Sequence, residues 1–170
     1  TRRSSDLGQD TLYGGDGDDT FIANTDTYQD WFYGDAGFDL ISYKNITIDI
    51  NTNTGNYFYA QYSSNYYFTV NGQAQYNNAI EGLIGGQGND YLSSQGGYAV
   101  YFDGYLGNDT LVGNSGNDTL YGDQGDDSID GAIGNDYITG GTGADSLSGS
   151  NGNDTILAEA GNDVLGGGAG

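Results

Sequence analysis

A nine-residue repeat decides what this chain can fold into. From Gly104 to Gly166 seven consecutive units read GYLGNDTLV, GNSGNDTLY, GDQGDDSID, GAIGNDYIT, GGTGADSLS, GSNGNDTIL and AEAGNDVLG. The fourth place is always glycine: Gly107, Gly116, Gly125, Gly134, Gly143, Gly152 and Gly161. The sixth is always aspartate: Asp109, Asp118, Asp127, Asp136, Asp145, Asp154 and Asp163. The eighth is always Leu or Ile: Leu111, Leu120, Ile129, Ile138, Leu147, Ile156 and Leu165. Glycines at the first, second and fourth places allow tight turns with positive φ. The x-aliphatic-x segment that follows is long enough for a short strand whose middle side chain points to one face. Such a unit cannot bury its one apolar side chain alone, whereas stacked units can. The repeat therefore predicts a solenoid with a thin aliphatic core.

If two units make one coil, units on the same side lie two apart in sequence, and adjacent coils sit ~4.8 Å apart. Aspartates at that spacing repel unless a cation lies between them. Calcium takes six to eight oxygens at ~2.3–2.6 Å, and carbonyls of the glycine turns can complete the set. The predicted rows are Asp90, Asp109, Asp127, Asp145, Asp163 and Asp118, Asp136, Asp154, with Asp10 paired to Asp30 and Asp19 to Asp39. These gaps give about eight ions, which would reduce the net charge of −21 to about −5. The competing explanation is Asp as a turn former that bonds its own loop amides.

The pattern resembles the RTX (repeats-in-toxin) nonapeptide, GGxGxDxUx. GGDGDDTFI at 14–22 and GGQGNDYLS at 85–93 also match every fixed position. The resemblance implies an all-β fold: a right-handed parallel β-roll with rows of Ca²⁺ between its turns, here interrupted by a small antiparallel β insertion. It also implies an exported protein. The chain stops at GGGAG, part-way into another unit, so no C-terminal export signal is evident, and a fragment or processed form is expected.

Composition agrees with a metal-dependent fold. Hydrophobic residues are 35%, too few for a thick core, and 24 acidic residues face 3 basic ones. Without counter-ions that repulsion favours an expanded chain. Such acidity argues against nucleic acid as a partner. The absence of Cys and His excludes thiolate chemistry, imidazole-bound zinc and a Ser-His-Asp triad within this chain. No apolar run approaches the ~20 residues of a membrane span. Calcium sites of this kind fill best at extracellular calcium levels.

Three regions are expected: N-terminal coils at 5–42, a Tyr-rich antiparallel insertion at 43–84, and a C-terminal roll at 85–170. The N-terminal part is irregular. Ala23 and Asn24 are extra residues, and TDTYQDWFY at 25–33 has lost its glycines but keeps Asp30 and Phe32. In the insertion, the alternation of Ile46, Ile48 and Ile50 predicts a half-buried strand. FTV-Asn71-Gly72-QAQ predicts a two-residue hairpin. Three or four antiparallel strands packed on the roll are expected there. After the unit at 85–93, Ser94 is extra and Val100 replaces the aspartate, so one calcium position should be lost to an apolar patch, with Phe102 in the core place.

Glu81 and Glu159 have no evident partner for acid–base work, and the paired aspartates are better explained as ion ligands than as glycosidase carboxylates. No enzyme is expected. The favoured role is a secreted structural or assembly module of a surface layer, adhesin or filament that folds on Ca²⁺. Head-to-tail self-association would occur through open strand edges. One alternative is the C-terminal RTX accessory domain of a type I-exported enzyme or toxin. Another is a module that binds cell-surface glycan through the tyrosines of 57–67.

Overall fold

The computed structural model describes residues 2–3, 11–22, 31–42, 66–70, 73–78, 81–94 and 98–170. Among them every regular element is a strand: β1 (Arg2–Arg3), β2 (Thr11–Asp16), β3 (Thr20–Ile22), β4 (Trp31–Ala36), β5 (Leu40–Ser42), β6 (Tyr66–Val70), β7 (Gln73–Asn78), β8 (Gly82–Ile84), β9 (Tyr91–Ser93), β10 (Tyr101–Asp103), β11 (Thr110–Val112), β12 (Thr119–Gln124), β13 (Ser128–Asp130), β14 (Tyr137–Thr142), β15 (Ser146–Ser148), β16 (Thr155–Ala160) and β17 (Val164–Gly166).

The strands form a parallel β-roll. One face is an eight-stranded sheet in the order β1-β3-β5-β8-β10-β12-β14-β16. The other face is divided into β2-β4-β7-β6 and β9-β11-β13-β15-β17. Consecutive strands of the repeat alternate between faces, and each pairs with the strand one coil away. Thr110 pairs with Ser128 and Thr119 with Tyr137, both steps of 18 residues, or two units. The extra residues found in the sequence appear as longer steps: 19 from Tyr91 to Thr110, past Ser94, and 20 from Thr20 to Leu40, past Ala23 and Asn24.

Inside lies one apolar side chain from nearly every strand, at the eighth place of its unit. Phe21, Ile41, Leu83, Leu92, Phe102, Leu111, Leu120 and Ile138 are fully buried. Each full burial contributes roughly 1.5–3 kcal/mol. Some earlier places hold larger rings, and Phe21 meets Phe32 edge-on at 5.6 Å. Outside, aromatic side chains meet from rung to rung. Tyr13 lies on Tyr33 at 4.9 Å, and Tyr101, Tyr121 and Tyr137 follow one another at 5.5 and 6.0 Å.

The hairpin is present. β6 and β7 pair antiparallel with Val70 against Gln73, which leaves the two predicted residues as the connection. The insertion differs from expectation in one respect. Its second hairpin strand, β7, also pairs in parallel with β4, so it is a rung of the roll as well as half of a hairpin. The strand predicted at Ile46–Ile50 and the aromatic run at 57–62 lie outside the described residues.

Candidate metal centre

Two constraints shape each turn of the repeat. The second place takes a left-handed backbone: Tyr105, Asn114, Asp123, Ala132, Ser150 and Glu159 have φ of 66–77°. Left-handed geometry suits glycine, yet Gly141 is the only glycine at that place among the seven C-terminal units. Six of the seven fourth-place glycines, all but Gly161, also have positive φ, for example 138° at Gly125. Their stronger reason is space. A Cβ on Gly125, Gly134, Gly143 or Gly152 would overlap the carbonyl oxygen of the fourth-place glycine one coil earlier. First-place glycines differ from the expectation of positive φ. A Cβ on Gly113, Gly122, Gly131 or Gly140 would strike Oδ2 of the aspartate five residues on, so glycine is there to make room for a carboxylate.

That carboxylate belongs to a ladder. The Asp109 N–H donates to Asp127 Oδ1 at 2.7 Å, Asp127 N–H to Asp145 at 2.9 Å and Asp145 N–H to Asp163 at 3.0 Å. Asp90 N–H joins the same row by donating to Asp109 at 2.7 Å. On the opposite face Asp118 N–H donates to Asp136 and Asp136 N–H to Asp154, each at 2.9 Å. These acceptors lie a coil away, so the aspartates are chiefly links between rungs. Asp90 also accepts from its own loop, from Gly86 N–H at 2.5 Å. Val100, predicted to interrupt the row, is buried and keeps only the amide half of the link, with its N–H on Asp118 Oδ1 at 2.9 Å.

A second ladder escaped sequence reasoning. Fifth-place side chains run the opposite way: Asn108 N–H donates to Asn89 Oδ1 at 2.8 Å, and Asp126 N–H to Asn108 Oδ1 at 2.9 Å. Asn117, Asn135 and Asn153 repeat the pattern on the other face. The signal was present, since most fifth places are Asn or Asp.

The electrostatics show what the sixth-place ladder lacks. Asp109, Asp118, Asp127, Asp136 and Asp145 are at most 2% exposed. Each spends Oδ1 on an amide, while Oδ2 of these five and of Asp154 is buried without a hydrogen-bond partner. A buried acceptor without a partner costs about 1–3 kcal/mol, and more when charged. Burial, with the charges of Asp90 and Asp127, pushes the Asp109 carboxyl up to about 8. Burial likewise raises Asp118 and Asp127 to about 6, aided by Asp136 and Asp145 respectively. Asp136 and Asp145 shift upward for the same reason.

Rows of inward carboxylate oxygens beside glycine turns are a hard-oxygen donor set, which fits calcium. Among the described residues no three acidic side chains converge on one point. Each position would therefore draw on one or two carboxylates and on backbone carbonyls. Asp19 and Asp39 form a ladder step, with Asp19 N–H on Asp39 Oδ1 at 2.8 Å, and they belong to the same continuous sheet as Asp118, Asp136 and Asp154. Asp10 and Asp30 lie outside the described residues.

Among known protein families, the RTX calcium-binding nonapeptide repeat matches this sequence in four copies, at 5–29, 83–98, 103–138 and 139–170. No curated protein matches it. Among the described residues no helix is long and apolar enough to cross a membrane.

Proposed function

Because the chain belongs to the RTX calcium-binding nonapeptide-repeat family, we propose that its calcium-binding β-roll is a secreted structural module that folds as it binds Ca²⁺. The observation that carries this is the set of buried Oδ2 atoms without partners in successive rungs. Asp90, Asp109, Asp127, Asp145 and Asp163 would hold the ions of one face. Asp19, Asp39, Asp118, Asp136 and Asp154 would hold those of the other, with Asp10 and Asp30 completing about eight positions. Bound calcium would supply the positive charge that this row of anions lacks. The chain's own part is to orient the carboxylates: Oδ1 is fixed on the neighbouring amide, and the first-place glycine leaves Oδ2 facing the turn.

A load-bearing extracellular role follows from the same economy. The core is one side chain thick, so metal linkage would decide whether the rungs hold, and calcium at about millimolar concentration is an extracellular condition. Head-to-tail association of copies through open strand edges belongs to the same reading. Light scattering with and without calcium tests association between copies.

A circular dichroism titration tests the central claim. The expected result is a coil-like spectrum in chelator and strand signal appearing at about millimolar calcium. An unchanged strand spectrum after exhaustive EDTA dialysis would remove the proposal.

A further inference from the structure

The eight-stranded sheet continues past the place where the nonapeptide pattern fails. β5 pairs with β8 in parallel, with Leu40 against Gly82, Ile41 against Leu83 and Ser42 against Ile84. Residue 81 therefore stands opposite Asp39, at the sixth place of its rung, and it is Glu81. Its hydrogen bonding is that of the ladder. Asp39 N–H donates to Glu81 Oε2 at 2.8 Å, as Asp19 N–H donates to Asp39 Oδ1 at 2.8 Å. Tyr101 N–H donates to the Glu81 carbonyl at 3.0 Å, as Thr110 N–H does to that of Asp90 at 2.8 Å.

One departure has a visible cause. In a regular rung the sixth-place N–H donates to the carboxylate of the following rung. The rung after Glu81 carries Val100, which offers no side-chain acceptor, and Glu81 N–H turns back to the Asp39 carbonyl at 2.9 Å.

The chain between the strands is shorter at this rung. Six residues, 34–39, connect Tyr33 to Leu40, whereas three, 79–81, connect the paired positions Asn78 and Gly82 in the next rung. Glu carries one methylene more than Asp, and its Oε2 meets the Asp39 amide. The pair is then two carboxylates on adjacent rungs linked through an amide, as in the aspartate ladder, with Asp39 buried and Glu81 partly exposed.

We propose that Asp39 and Glu81 together hold a calcium ion beyond those the nonapeptide motif specifies, and so join the N-terminal ladder to the rungs that follow. This rests on the calcium reading of the ladder given above. Native mass spectrometry of the calcium-loaded full chain counts the ions. Glu81→Gln keeps the size and the amide acceptor but removes the charge, so it should carry one ion fewer than wild type, with a severalfold higher calcium midpoint for folding. An unchanged count and midpoint would reduce Glu81 to a hydrogen-bond cap and overturn the inference. If Glu81→Gln does not fold in calcium, Glu81→Asp serves instead. It keeps the charge but withdraws it by one methylene, so one ion fewer at limiting calcium supports the site and an equal count sinks it. A wild-type chain that binds no calcium removes the underlying reading as well, whereas a wild type that binds its ions while both variants match it removes only Glu81.

Discussion

From Gly113 onward each rung copies the one 18 residues before it, while earlier rungs are joined by steps of 19, 20, 42 and 45 residues. Both regions nevertheless belong to one continuous sheet. What the irregular rungs keep is an apolar side chain at the eighth place, as at Phe21, Ile41, Leu83 and Phe102, and at most rungs a sixth-place oxygen acceptor. What they give up is the fixed 18-residue step, and some of them the glycine pattern as well. The strand and the carboxylate therefore define a rung, and the glycines define how closely the next rung can approach.

Glycine substitutions give the sharpest contrast between the regions. Gly125 has φ of 138°, and a Cβ there would overlap the Gly107 carbonyl. Gly17, at the same fourth place of an N-terminal unit, has φ of 100° and, among the described residues, nothing within 4 Å of its Cβ position. Gly125→Ala should cost on the order of 4 kcal/mol, from overpacking against backbone plus left-handed strain. Gly17→Ala should cost only the strain, about 1 kcal/mol. Urea unfolding at saturating calcium measures both, and equal losses would show that interlocking of the glycine turns is not what sets the C-terminal rungs apart.

Acid separates the ladder's charge problem from its metal. Asp109, Asp118 and Asp127 have folded-state pKa values of about 8, 6 and 6, well above the ordinary value near 4. The folded chain therefore binds more protons than the unfolded chain between those limits, and its stability rises as pH falls through them. In chelator, where the chain is coil-like at neutral pH, strand signal should grow from pH 8 toward pH 4, and the gain should be complete below the unfolded value. In calcium the trend should reverse, because protons compete for the same oxygens. Circular dichroism spectra in EDTA and thermal melts in calcium, each at several pH values, read both signs. A chelator series that loses stability on acidification would show that the buried aspartates do not limit the metal-free fold.

The regular half of the molecule was legible because its constraints are local and repeated. Gly, Asp and Leu or Ile recur in phase, and each maps onto one contact: a neighbouring carbonyl, a neighbouring amide and the core. Val100 was also legible, since a hydrophobic residue in a fixed acidic place can only remove a carboxylate. Glu81 was not. Its partner Asp39 is 42 residues away, and the intervening segment hides the phase. Counting back from the unit at 85–93 does put Leu83 at the eighth place and Glu81 at the sixth, but only the pairing of Leu40 with Gly82 gives that count a meaning. The first-place glycines were misattributed for a related reason: positive φ is a property of one residue, whereas room for an aspartate five residues on depends on how the turn closes.

The smallest effect tests whether the turn or the residue dictates the second place. All the described second-place residues of the C-terminal units take positive φ whatever their side chain, and Ala132 does so at 71°. Alanine has no side-chain oxygen with which to support a left-handed backbone locally, so it carries about 1–2 kcal/mol of strain. Glycine would relieve that strain but lose about 0.4–1 kcal/mol through the greater freedom of its unfolded chain. Ala132→Gly should therefore stabilise the C-terminal rungs by about 0.5 kcal/mol, the difference between those terms. Asn114→Gly, at an equivalent turn with φ of 71°, should change stability less, because asparagine tolerates the left-handed region. Calcium-saturated urea midpoints of the two variants decide the matter. A gain at Asn114 larger than at Ala132 would mean that side-chain contacts, and not backbone strain, govern this place in the turn.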